Sequence, residues 1–362
     1  MARQQRLLGL KRRSSTPGGV TPGGSRRGGV MPIVRVVGFT LGIAALAAIM
    51  VRAGAASVAR SLANLGLIGL LALVLLHLPV VAAMASAWRS VAGEVAGGSR
   101  LKFLWARLVR DGAAEALPFS QVGGFVFGLR ALNLRGNEAM RAAISMGVDL
   151  VVELAAKLPY LIAGVLVLAA LAPGSNLLRP ILLGLVLTAV AVTIPIFARR
   201  RMWRLLEATA RTILRRLAAG ALLDPAAKRA ELETMLEDSL SRRTRVLTGF
   251  LLHLTCWIVG AAELWVVFAL LGVRIGLLQA LAIDSIVAGL RSFAFMIPAA
   301  AGVQEASFVL AGAAFGVSPT IAVAASLARR ARDLLLGGVT LAIYAGVRAL
   351  CASRQRALSA SR

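Results

Sequence analysis

Charged side chains inside apolar runs constrain this chain more than any other feature. Asp149, Glu153 and Lys157 interrupt one long apolar stretch; Arg329, Arg330, Arg332 and Asp333 interrupt another. A charge at the centre of a bilayer costs about 2.5–3.5 kcal/mol on insertion scales, so such residues are expected to face a protein interior and to mark a functional site. Each cluster follows a proline- and glycine-bearing segment, Pro118 to Gly124 in the first half and Pro298 to Gly302 in the second. A broken apolar segment followed by a charged helix, twice over, is the order expected of a transporter-like repeat.

Hydrophobic residues make up 58% of the sequence and the mean hydropathy is +0.80. These values exclude an ordinary soluble domain and predict an all-α integral membrane bundle. A net charge of +25 would suit a nucleic-acid binder. The basic residues, however, sit at the ends of apolar runs, where the positive-inside rule places them, so no nucleic-acid partner is expected. Cys256 and Cys351 provide neither a disulfide framework nor a metal set, and no cofactor or metal is expected.

The apolar pattern predicts six full spans, at about 33–51, 62–86, 142–171, 179–198, 246–271 and 320–349, plus two broken or re-entrant segments. Eight crossings are the alternative. Residues 1–30 read as a disordered basic cytoplasmic tail, 31–198 as a first membrane half, 246–350 as a second, and 351–362 as a cytoplasmic tail. Residues 199–245 read as a cytoplasmic linker with an amphipathic helix, Met202, Leu205, Leu206, Ile213 and Leu217 on one side. Arg89, Arg100, Lys102, Arg107 and Arg110 mark the end of the second span as cytoplasmic. Basic residues on both sides of 111–129 favour a re-entrant hairpin from the cytoplasm. The second broken element, within 277–316, then enters from the opposite side, and the halves are expected to form an inverted repeat. Matched by eye, EALPFSQVGGF lies against FMIPAAAGVQE, and AAISMGVDLVVE against VAASLARRARDLL.

The block PAAAGVQE from Pro298 to Glu305, followed by GAAFGV and the SLARRARDLL helix, resembles the flippase-like membrane region of lysylphosphatidylglycerol synthases. LPFSQVGGFVFGLRAL at 117–132, with Asp149 and Glu153, more narrowly resembles the hopanoid-biosynthesis-associated inner-membrane proteins of that superfamily. The resemblance covers about 35–350 and implies a bacterial inner-membrane protein with both termini cytoplasmic. It implies movement of a polar lipid, a hopanoid or an anionic phospholipid, between leaflets or toward the outer membrane. Where the wider family has more glycine between proline and glutamate, this sequence has alanines. The soluble aminoacyl-transferase domain of the full synthases is not expected after the last span.

On this reading Gly123, Gly124 and Gly302 allow close backbone approach. Pro118, Gln121, Pro298, Gln304 and Glu305 shape a headgroup site, and Asp149 and Glu153 pair with Arg329, Arg330 or Arg332. A fixed ionic network needing no substrate is the competing explanation of the same charges. His77 and His253 read as hydrogen-bonded core residues, and the sequence carries no HExxH, GxSxG or phosphate-loop motif, so no enzymatic activity is expected. A non-transporting scaffold for biosynthesis or export partners is the second reading, and a membrane-embedded transferase the third.

Overall fold

The computed structural model describes residues 44, 47–93, 99–116, 120–134, 136–174, 183, 186, 189–190, 241–293 and 300–360. The helices are α1 (Ala55–Ala92), α2 (Arg100–Ala116), α3 (Ser120–Leu132), α4 (Gly136–Leu171), α5 (Arg243–Leu270), α6 (Leu277–Phe293), α7 (Val303–Ala313) and α8 (Pro319–Ala360). Four are long and apolar enough to cross a membrane: α1, α4, α5 and α8. They coincide with the spans expected at 62–86, 142–171, 246–271 and 320–349, and α4 continues as helix through Pro159. Most of the span at 179–198, of the linker 199–245 and of the span at 33–51, together with the tail 1–30, Pro118 and Pro298, lie outside the described residues.

Both broken elements are pairs of short helices. Phe103, Ala106, Val109 and Ala113 recur at helical spacing on the buried face of α2. α3 folds back on that helix, because Gly124 and Gly128 let the two backbones close. A Cβ at Gly124 would stand 2.7 Å from the carbonyl oxygen of Arg110. The helical hairpin therefore begins at Arg100 rather than at the expected 111. Arg107 and Arg110, read from sequence as cytoplasmic flank, are buried in protein. In the second half α6 and α7 flank a break that ends in two left-handed residues, Ala300 at φ 47° and Gly302 at φ 77°.

The halves exchange contacts pairwise. α1 packs on α2, α5 and α8, and α5 packs on α6, α1 and α4; α2 packs on α8, as α6 packs on α4. Directions follow from the contacts. Gly93 of α1 neighbours Arg245 of α5, and His77 neighbours Glu263, so these two helices run antiparallel. α4 runs with α5, since Asp149 meets His253 and Tyr160 meets Trp257. α8 starts beside the start of α1, where Thr320 donates to the Ala53 carbonyl at 2.7 Å, and α2 and α8 are antiparallel, Gly112 meeting Gly337 and Trp105 meeting Tyr344. Each helix thus points opposite to its counterpart in the other half.

Two crossings fix the register of this relation. A Cβ at Gly112 would lie 2.8 Å from the Gly337 Cα. A Cβ at Gly164 of α4 would collide with the Ser285 side chain of α6. The same shift in residue number carries Gly112 to Ser285, Gly164 to Gly337, Asp111 to Asp284 and Lys157 to Arg330. The match by eye set Asp149 against Arg330, roughly two helical turns away. It failed because Ala- and Leu-rich segments align almost as well one turn along as in register.

Outside, the spans are apolar: Leu67, Ile68 and Leu75 of α1, Leu251 and Ile258 of α5, and Val339, Ile343 and Val347 of α8 are exposed. Inside, Asp149, Glu263, Asp284 and Glu305 are buried. This arrangement suits a hydrocarbon surround, where polar groups are satisfied within the bundle.

Candidate functional site

α2 brings the basic partners of the first charged cluster. Asp149 is fully buried and accepts from Arg110 at 3.4 Å. Arg107 stands 3.8 Å from Asp149 and 3.5 Å from Glu153, and Arg110 stands 3.6 Å from Glu153. Arg107 also donates to Asp111 one turn on, at 2.7 Å, and its other end reaches the Met84 sulfur at 3.1 Å. Arg110 lies over the Phe125 ring of α3. Two guanidiniums are therefore shared among three carboxylates, and His253 approaches Asp149 at 2.9 Å from its other side.

The second cluster does not reach the first directly, contrary to the expected pairing of Asp149 and Glu153 with the α8 arginines. Arg329 pairs with Asp284 of α6, whose other oxygen accepts from the Tyr160 hydroxyl at 2.6 Å. Arg330 donates to Glu305 of α7 at 2.8 Å. Arg332 donates to Glu263 of α5 at 2.7 Å and to Asp333 at 2.8 and 2.9 Å. Successive side chains on a helix point about 100° apart, so three near neighbours on α8 engage three different helices. The pairing by sequence failed because the acids that receive these arginines lie on elements far away in the chain.

The clusters meet at a cavity of about 250 Å³ beside the Gly112–Gly337 crossing. Arg107, Arg110, Arg291 and Arg332 line it, as do Asp111, Glu115, Glu153 and Asp333, with His77 at one wall. Four cationic and four anionic side chains balance there. Several keep access to the outside: Asp111 is 37% exposed and Arg291, which pairs with Glu115 at 3.2 Å, is 34% exposed. The absence of a Cβ at both glycines lets α2 and α8 close on one side of this space.

The proline–glycine–Gln-Glu block is engaged within the chain. Glu305 is fully buried; it accepts from the Gly302 backbone N–H at 2.8 Å, from Ser326 at 3.1 Å and from Arg330. Gln304 donates to the Ser326 hydroxyl at 3.0 Å. These contacts pin the start of α7 to α8. Gly123 and Gly124 lie in the first half of α3, against α2, and Gln121 lies in its first turn, its side chain outside the description.

Sequence reasoning missed Arg107, Arg110, Glu263 and Asp284 as network members. Glu263 carried a signal, being a lone acid in a long apolar helix. His77 and His253 are hydrogen-bonded within the bundle, as expected, but to carboxylates: His77 lies 3.1 Å from both Glu263 oxygens. Asp149, Glu153 and His253 place ligand-type atoms within 4.8 Å of one another. Arg107 and Arg110 already supply positive charge to those carboxylates, which disfavours a metal cation there.

Neither the curated proteins nor the solved structures gave a significant match to the chain. The family model of the lysylphosphatidylglycerol synthase TM region matches residues 35–340, spanning both halves and the cavity between them, and the chain belongs to that family.

Proposed function

We propose that this protein moves a polar lipid across the inner membrane or onward from it, with the cavity between α2 and α8 receiving the headgroup. One observation carries the reading: a charge-balanced cavity lies inside a bundle with an apolar exterior, at the meeting point of two oppositely directed halves. Arg110 is shared between Asp149 and Glu153 at 3.4 and 3.6 Å, looser than the 2.7–2.9 Å of a tight charge-assisted bond, whereas Arg107 is held by Asp111 at 2.7 Å. An incoming headgroup can recruit Arg110 without uncovering a fully matched pair. Membership of a lipid-related membrane family supports the same reading. The cargo we propose is a hopanoid, on the likeness of the 117–132 block, with an anionic phospholipid as the alternative. On this reading both termini face the cytoplasm, from the basic residues that flank the apolar runs, and no covalent step is assigned to the chain.

The test is the distribution of hopanoid between inner and outer membranes in a deletion strain, with total hopanoid quantified. Normal synthesis with hopanoid lost from the outer membrane is the expected result. A missing or altered hopanoid species would instead favour a biosynthetic scaffold or enzyme.

A further inference from the structure

Lys157 is a buried ammonium group without a carboxylate partner among the described residues. It is 6% exposed. Its Nζ donates to the Ser292 hydroxyl of α6 at 2.6 Å and lies 4.9 Å from the centre of the Trp257 ring of α5. No acid among the described residues stands within ion-pair distance of it, although every neighbouring acid is close to some arginine. Glu153, one turn earlier, faces Arg107 and Arg110. Asp284 is taken by Arg329 and Tyr160. Arg291, beside Ser292, pairs with Glu115. Ser292 has no lone capacity to spare as a donor, since its hydroxyl donates to the Ala288 carbonyl. The indole N–H of Trp257 is a second buried donor with no partner among the described residues. Stacking on Tyr160, at 5.8 Å between ring centres, holds that indole in place.

The other half shows what this position lacks. The shift that relates the two crossings puts Lys157 in the place of Arg330, and Arg330 has its carboxylate in Glu305, from the short helix α7. The corresponding short helix of the first half, α3, contains no acidic residue. A buried cation left without a counter-ion is costly, and an added anion that accepts from it regains that energy.

We propose that Lys157 and the Trp257 indole N–H form an oxyanion-binding site, distinct from the α2–α8 cavity, that takes a phosphate group. The phosphate is borne by a lipid headgroup or is free phosphate. Ser292 holds the ammonium in position, and the ligand's oxygens take the place Glu305 fills at Arg330. The site stands apart from the transport reading, because it concerns binding and a different wall of the bundle.

The test is calorimetric titration of the purified full chain in a phosphate-free maltoside detergent. The two probes are inorganic phosphate and dioctanoyl phosphatidylglycerol. Saturable binding is expected, weakened about tenfold or more in Lys157→Met, since a charge-assisted bond is lost. Lys157→Arg should retain binding. Trp257→Phe, which keeps the ring and removes the N–H, should weaken it about fivefold. Binding of the lipid alone assigns the site to a headgroup; binding of both assigns it to phosphate in general. The proposal is overturned if neither probe binds the wild-type chain saturably, or if Lys157→Met, still helical and monodisperse, binds as tightly as wild type. Because nothing is transported in this assay, the outcome is independent of whether the chain moves lipid.

Discussion

The α2–α8 crossing and the α4–α6 crossing occupy equivalent places in the two halves, yet one borders a charged cavity and the other is bridged by a hydrogen bond between Tyr160 and Asp284. At the first, Asp111 and Asp333 line the open space. At the second, the equivalent residues are Asp284 and Tyr160, which bond to each other, and the Tyr160 ring stacks on Trp257. The helix frame is common to both sides; they differ in having Tyr160 where the cavity side has Asp333. The two crossings also differ in what makes them tight. Gly112 and Gly337 meet backbone to backbone, whereas Gly164 is crowded by the side chain of Ser285, with the Ala282 backbone at an ordinary 3.8 Å.

The largest expected effect comes from breaking the network on the cavity side. Asp149→Ala should lower unfolding free energy by about 3–5 kcal/mol, because it leaves Arg110 buried beside one weaker partner. A double-mutant cycle sharpens the point. Asp149 with Arg110 should couple by about 0.5–3 kcal/mol, while Asp149 with Arg329 should add independently, since Arg329 answers to Asp284. Chemical denaturation in detergent measures both cycles.

A smaller loss is expected from Glu305→Gln, whose single amide oxygen can still accept from the Gly302 N–H but leaves an NH2 where Ser326 and Arg330 now donate, and which removes the charge that meets Arg330. About 1.5–3 kcal/mol should be lost by the same denaturation measurement. Next come the glycines. Gly337→Ala and Gly164→Ala should each cost about 1–3 kcal/mol through overpacking. Ser285→Gly should rescue Gly164→Ala, and no trimming of a side chain should rescue Gly337→Ala, whose added methyl meets backbone. Rescue of both, or of neither, would remove the distinction between the crossings.

The mildest perturbation compares water access. In a Cys351→Ser background, Asp111→Cys should react with a charged thiol reagent within minutes, and the equivalent Asp284→Cys should stay protected, its side chain being 6% exposed against 37% for that of Asp111. Equal labelling of the two positions would contradict a one-sided cavity.

Much of this architecture was legible in the chain. The spans α1, α4, α5 and α8 follow from apolar length alone, and the second proline–glycine block contains the left-handed Gly302, whereas Gly123 and Gly124 lie within helix α3. Asp149, Glu153 and Asp333 announced themselves as charges inside apolar runs. Arg107 and Arg110 did not, because an arginine next to an apolar run looks the same whether it faces cytoplasm or folds back into the bundle. Phe103, Ala106, Val109 and Ala113, at helical spacing through that basic run, were the available signal. The partners of the α8 arginines were not legible, since pairing depends on which helices become neighbours. Asp284 and Arg329 lie 45 positions apart in sequence and Arg332 and Glu263 lie 69 apart. Only the packing of α5 against α8, and the reach of the Arg329 side chain to α6, joins them.

The most direct test is lipid movement by the purified full chain in vesicles of phosphatidylglycerol with a hydroxylated hopanoid. The fraction of each lipid reachable by a membrane-impermeant reagent is followed in time. The account predicts that wild type exchanges at least one of the two between leaflets faster than protein-free vesicles do, and that Arg110→Gln, reconstituted to the same level, loses the acceleration. Rates equal to those of empty vesicles for both lipids, or full activity in Arg110→Gln, would contradict it.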